Sequence, residues 1–121
     1  GALLMTEEAA WVEHRLSSSA PFRDRLVAFW ANHLSVSRRV PAIAPFIPAY
    51  EHEGSRPHVT GRFEDMLLAA IRHPAMLHYL GNHVSVGPGS EAGRAGRRGV
   101  NENLARELLE LHTLSPAGGY S

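Results

Sequence analysis

The chain has 121 residues, 44% hydrophobic and 20% charged, which is the balance of one ordinary globular domain and not of a disordered or fibrous segment. Twelve Lys and Arg offset twelve Asp and Glu, so no net field draws it toward nucleic acid or an anionic membrane. The lack of Cys excludes disulfides, thiolate metal sites and cysteine nucleophiles, and no apolar run approaches the ~20 residues of a membrane span. Eight histidines make the chain cationic in acid, since an unperturbed imidazole titrates near pH 6.5.

Ala2 to Met5 is too short for the core of a signal peptide. Gly1 is not a natural start and reads as a residue left by tag cleavage, which leaves room for an export signal removed from the full protein. Thr6 is the expected N-cap of a helix at about 7–17, with Glu7 and Glu8 in its first turn and Trp11, Val12 and Leu16 at helical spacing. The run Ser17, Ser18, Ser19 interrupts it, and Pro21 opens a second helix that ends near Leu34. Phe22, Leu26, Phe29, Trp30 and His33 fall on one side of that helix, the side expected to face the core.

From Ser35 to Gly61 the prolines at 41, 45, 48 and 57 predict an extended connection with at most a short turn of helix. Its apolar residues Val40, Ile43, Phe46, Ile47 and Tyr50 are expected to pack over the helices. Phe63, Met66, Leu67, Ala70 and Ile71 predict a third helix. His73-Pro74 marks a break, and a short fourth helix through Met76, Leu77 and Leu80 closes on Gly81. Residues 82–100 have the Gly, Ser, Pro and Arg composition of a mobile loop, with Arg94, Arg97 and Arg98 as its first points of proteolysis. Asn101 caps a last helix of about 102–113, which Ser115-Pro116 and Gly118-Gly119 terminate. The expected fold is all-α, an irregular bundle of about four to five helices with a long Pro-rich connection and a Gly/Arg-rich loop.

Three segments carry a family likeness: Phe29-Trp30-Ala31-Asn32-His33, His73-Pro74-Ala75-Met76-Leu77-His78-Tyr79-Leu80, and the run from Asn101 to Leu114 containing Glu102, Asn103, Arg106, Glu107, Glu110 and His112. With Arg56-Pro57-His58 and Gly61-Arg62-Phe63 between them, the chain from about Pro21 to Tyr120 resembles the bacterial family catalogued as domain of unknown function 1800. Members of that family are usually several hundred residues long and often carry export signals. The resemblance therefore implies that residues 1–121 are a single helical fragment of a larger domain, in a periplasmic or extracellular setting. It supplies no reaction. At Leu114-Ser115-Pro116 the chain departs from the family, which commonly has Gly after the Leu.

On a helical wheel, Leu104, Ala105, Leu108, Leu109 and Leu111 form an apolar arc that contains His112, as the Phe22 to Trp30 arc contains His33. Each inward imidazole is either a neutral core group with a hydrogen-bond partner or a metal ligand or general base. Partners for both are expected from another helix or the Pro-rich connection, with Glu107 or Glu102 as a candidate for His33. Glu107 and Glu110, three apart beside Asn103 and Arg106, form an ion-pair network, a solvated face or part of a site. The candidates are thus His33, Glu107 and His112 for catalysis, and His33, Glu107, Glu110 and His112 for a divalent metal. No cofactor motif is evident, and HExxH, EF-hand, P-loop, GxSxG and dinucleotide signatures do not occur. His73, His14, His52, His58, His78 and His83 read as boundary or exposed residues. Arg94, Arg97 and Arg98 lack interleaved aromatics for base stacking, so nucleic acid is not an expected partner. The remaining helices of the full-length protein are, and without them the fragment is expected to self-associate.

Overall fold

A computed structural model describes residues 2–96 and 99–119. The α-helices are α1 (Ala2–Ser17), α2 (Pro21–His33), α3 (Ile47–Tyr50), α4 (Phe63–Arg72), α5 (Pro74–Tyr79), α6 (Glu91–Arg94) and α7 (Asn103–Glu107). Turns of 3-10 helix lie at Ala44–Phe46, Asn82–Val84 and Pro116–Gly118, and π-helical turns at Glu51–Ser55 and Leu108–Thr113. The chain is all-α, with no strand among the described residues. None of its described helices is long and apolar enough to cross a membrane.

The core is built from the ends of α2 and α3 and from α4 and α5. Leu34, Tyr50, Met66, Ala70, Ala75, Met76 and Leu80 form its buried cluster, with Trp30, Val36, Val59, Leu67 and Leu104 packed against it. In α4, Met66 and Ala70 lie four apart and so share a face, which is why this helix matches its expected span and orientation. The break at His73-Pro74 is as expected, because Pro forces the residue before it into an extended conformation; His73 has ψ 138°. His73 then caps α5 itself: its Nδ1 accepts the Ala75 N–H at 3.1 Å, and its Nε2 lies 3.3 Å from Glu53 Oε2. Gly81 ends the α5 segment in the left-handed region at φ 70°.

Four expectations are corrected. α1 begins at Ala2, so Thr6 lies inside it rather than capping it, and Val12 and Leu16 are exposed rather than core-facing; the Trp11 side chain lies outside the description. On α2 the buried residues are Asp24 and Val27, while Phe22, Phe29 and His33 stand in solvent. The Pro-rich connection is helical from 44 to 55 and not extended. Pro45 and Pro48 each occupy a first-turn position, where a missing N–H has no partner to lose. Within that connection Ile43 and Tyr50 are buried as expected, but Phe46 is exposed. Residues 82–100 hold a 3-10 turn and α6, and Ser90 caps α6 by accepting the Gly93 N–H at 3.0 Å. The loop's neck is tied by Val86 N–H to Gly99 O and Asn101 N–H to Ser85 Oγ. Arg97 and Arg98 lie outside the described residues.

Tyr50 joins two elements across the core. Its hydroxyl donates to the Leu34 carbonyl at 2.6 Å, which satisfies a main-chain group just beyond α2, and burial pushes the phenol well above its usual titration range. Tyr50→Phe leaves that buried carbonyl without its donor and is expected to cost about 1–3 kcal/mol in urea unfolding at neutral pH. An unchanged unfolding midpoint would show that the carbonyl finds another donor.

Candidate functional site

The last helical segment brings the sequence candidates toward α2. The N-cap of α7 is Glu102, one residue after the expected Asn101, whose Oδ1 accepts the Asn103 N–H at 3.0 Å and whose Nδ2 donates to the Gly81 carbonyl at 3.3 Å. Asn103 Nδ2 reaches the Leu80 carbonyl at 3.5 Å, so two amides fix the start of α7 to the end of α5. After Glu107 the backbone widens into the π segment, marked by the five-residue bond from Leu114 N–H to Leu109 O. Thr113 Oγ1 adds a bond to the Leu108 carbonyl at 2.8 Å. Five-residue bonding reduces the angle between residues five apart, which on an α-helix stand about 140° apart. Glu107 and His112 are such a pair.

His112 is 6% exposed, and neither of its ring nitrogens has a hydrogen-bond partner among the described residues. Its ring lies 6.2 Å from that of His33, centroid to centroid, in an edge-on arrangement. His33 Nε2 donates to the His112 carbonyl at 3.1 Å. The two histidines that the wheel set inward on separate helices therefore meet, with His112 buried and His33 at the surface. Sequence pointed to Glu107 or Glu102 as the partner of His33; the structure gives it the main chain of His112 instead. Burial, then the neighbouring His33, hold the His112 imidazole below its usual pKa, against the smaller opposing pull of the Glu107 carboxylate and the nearby His33 main chain.

Around His33 the surface is aromatic. Trp30 meets the His33 ring edge-on at 5.6 Å and the Phe29 ring at 5.1 Å, and lies 5.3 Å from Phe63. Glu107 and Glu110 are half-buried on the last segment, and Arg106 turns to Asn103 Oδ1 at 2.7 Å instead of spanning the two carboxylates. No group of three His, Asp or Glu side chains among the described residues is arranged to hold a metal ion. Away from this site, His78 and His83 stack at 4.0 Å on the surface.

Sequence reasoning passed over one buried charge. Asp24, 5% exposed, takes Arg56 Nη1 at 2.8 Å and lies 3.6 Å from His14 Nε2. The Ser18 hydroxyl, with Arg56 and His14, holds its carboxyl below the ordinary carboxylate range against the opposing effect of burial. Its signal was present: Asp24 sits in the first turn after Pro21, and Arg56 opens one of the short motifs noted above.

The chain belongs to the family described as protein of unknown function (DUF1800), whose model matches residues 2–121. No curated protein and no solved structure matches it.

A buried imidazole whose ring makes no hydrogen bond contributes only its packing. His112→Leu, which keeps the volume and drops both ring nitrogens, is therefore expected to leave stability at pH 7 unchanged or to raise it by about 1 kcal/mol. His112→Ala, which empties the site, is expected to lose about 2 kcal/mol. Urea unfolding of both variants checks this, and a clear loss in His112→Leu would reveal a ring partner.

Proposed function

We propose that this chain is a helical scaffold segment of an exported bacterial protein, and that its apolar face is covered by an amphipathic helix from the rest of that protein. One observation carries the reading. On α1, Met5, Val12 and Leu16 are 73%, 47% and 85% exposed. With Ala9 they recur at intervals of four, three and four residues, the spacing of a seam that packs against a second helix. Glu13 and Ser17 join them around a shallow groove of about 610 Å³. Ala9 at its middle has little side chain to hold a partner backbone away. The export setting rests on the family resemblance alone.

The isolated chain is expected to be strongly helical by circular dichroism but marginally stable, and to associate with itself in sedimentation as concentration rises. Val12→Glu with Leu16→Glu should abolish the association while the helical signal persists. A monomer melting above about 80 °C, far beyond the usual mesophile range, would count against this reading.

A second reading rests on the buried His112 ring beside Glu107 and His33. It takes these three residues as part of a hydrolytic site completed by groups beyond this chain, with His112 as the base and the Glu107 carboxylate favouring the protonated ring. The full-length protein should then hydrolyse an ester or peptide substrate and lose that activity in both His33→Ala and Glu107→Gln. Retention of activity in either variant removes the reading.

A further inference from the structure

The last helical segment is held to the rest of the molecule at its two ends by ties of different chemistry. At the start, Asn101 and Asn103 donate to the Gly81 and Leu80 carbonyls, and Leu104 packs on the core. Neutral amides do not titrate, so this end is indifferent to pH. At the far end the tie is the histidine pair, with His33 Nε2 on the His112 carbonyl and the His112 ring buried behind it. This end holds the His112 imidazole, whose charged form is disfavoured by burial and by the neighbouring His33.

Neither ring nitrogen of His112 is within hydrogen-bonding geometry of a partner among the described residues, and the groups that favour its proton, the Glu107 carboxylate and the His33 main chain, are outweighed by burial and by the His33 ring. A proton on His112 would also place a charge beside the His33 ring, 6.2 Å away centroid to centroid. The titratable groups acting on His112 are His33 from α2 and Glu107 from its own helix; only the latter favours the proton, and Glu107 is half-buried. The charged ring can regain solvent by one motion, the outward swing of residues 108–113. We propose that His33 and His112 form an acid-sensitive latch, which holds the π segment Leu108–Thr113 against α2 while His112 is neutral and releases it when His112 is protonated. Release leaves the amide clamp at Asn101 and Asn103 in place and uncovers the half-buried side chains of Leu108 and Leu109.

The sign follows from the direction of the shift. His112 binds a proton less readily folded than unfolded, so the latch is fully closed above the ordinary histidine value of 6.5 and is lost as pH falls through the lowered folded value. Linkage to one proton limits the loss to about tenfold per pH unit.

Hydrogen exchange of the whole chain, read by NMR as protection factors from pH 7.5 to 5.0, tests the latch. Protection in 108–113 is expected to fall over that range, by no more than about tenfold per pH unit, in step with the titration of the His112 ring signals, while Met66 and Ala70 in α4 keep theirs. In His112→Leu the fall should vanish. In His33→Gln, which keeps a donor for the carbonyl but removes the imidazole that disfavours charge on His112, it should be shallower. A fall that is uniform across the molecule, that persists in His112→Leu, or that does not track the His112 signals in the unmodified chain overturns the proposal. The last comparison needs no variant and stands even where a substitution disturbs folding.

Discussion

The arrangement of the chain depends on what becomes of one buried carboxylate. Asp24 sits on the inward side of α2 at 5% exposure, and an ionised group there is stable only with a charged, well-placed partner. Arg56 supplies it at 2.8 Å, and Arg23 binds the Arg56 carbonyl at 3.2 Å, so residue 56 is fastened to α2 through both side chain and backbone. That fastening draws the connection between α2 and α4 down onto the helices. It sets Tyr50 where its hydroxyl reaches Leu34, and Glu53 where it reaches His73. The Asp24 and Arg56 pair adds to the burial of Ile43, Tyr50 and Ser55 in holding this connection along the core.

A wheel that scores only hydrophobicity sets Phe22, Phe29 and His33 inward, whereas of that arc Trp30 packs against the core and Phe22 and Phe29 do not. With Asp24 and Val27 inside, Phe22 and Phe29 are left in solvent. The fold was most legible where local chemistry decides: the His73-Pro74 break, the Gly81 terminus and the face shared by Met66 and Ala70. It was least legible in the Pro-rich connection. Proline forbids the interior of a helix but suits its first turn, and composition alone does not say which of the two a closely spaced set of prolines will occupy.

The candidate site was legible as two histidines and not as an arrangement. Periodicity identified His33 and His112 as inward groups on separate helices, and they do meet, although His33 remains at the surface. The relation of Glu107 to His112 was hidden, because the wheel assumes 3.6 residues per turn and the backbone here does not keep to it. Nothing in the run Leu108, Leu109, Glu110, Leu111 announces a π segment. Its cause is tertiary, in that turning His112 beneath α2 while α7 stays clamped to α5 requires a wider turn between them.

The two π segments therefore have a common logic. Glu51–Ser55 carries Glu53 to His73 and leads into Arg56, and Leu108–Thr113 carries His112 to His33. In the first the Glu53 side chain meets His73, and in the second the His112 main-chain carbonyl accepts from the His33 ring. The regular helix α4 instead buries apolar residues, whose attraction is not directional and tolerates the standard register. A π turn has less favourable packing along its axis than an α turn, so it persists only while its tertiary contacts outweigh that cost. For Glu51–Ser55 those contacts include the sealed Asp24 and Arg56 pair. For Leu108–Thr113 they include one hydrogen bond from a surface histidine and the burial of a ring without a partner, which makes it the more conditional of the two.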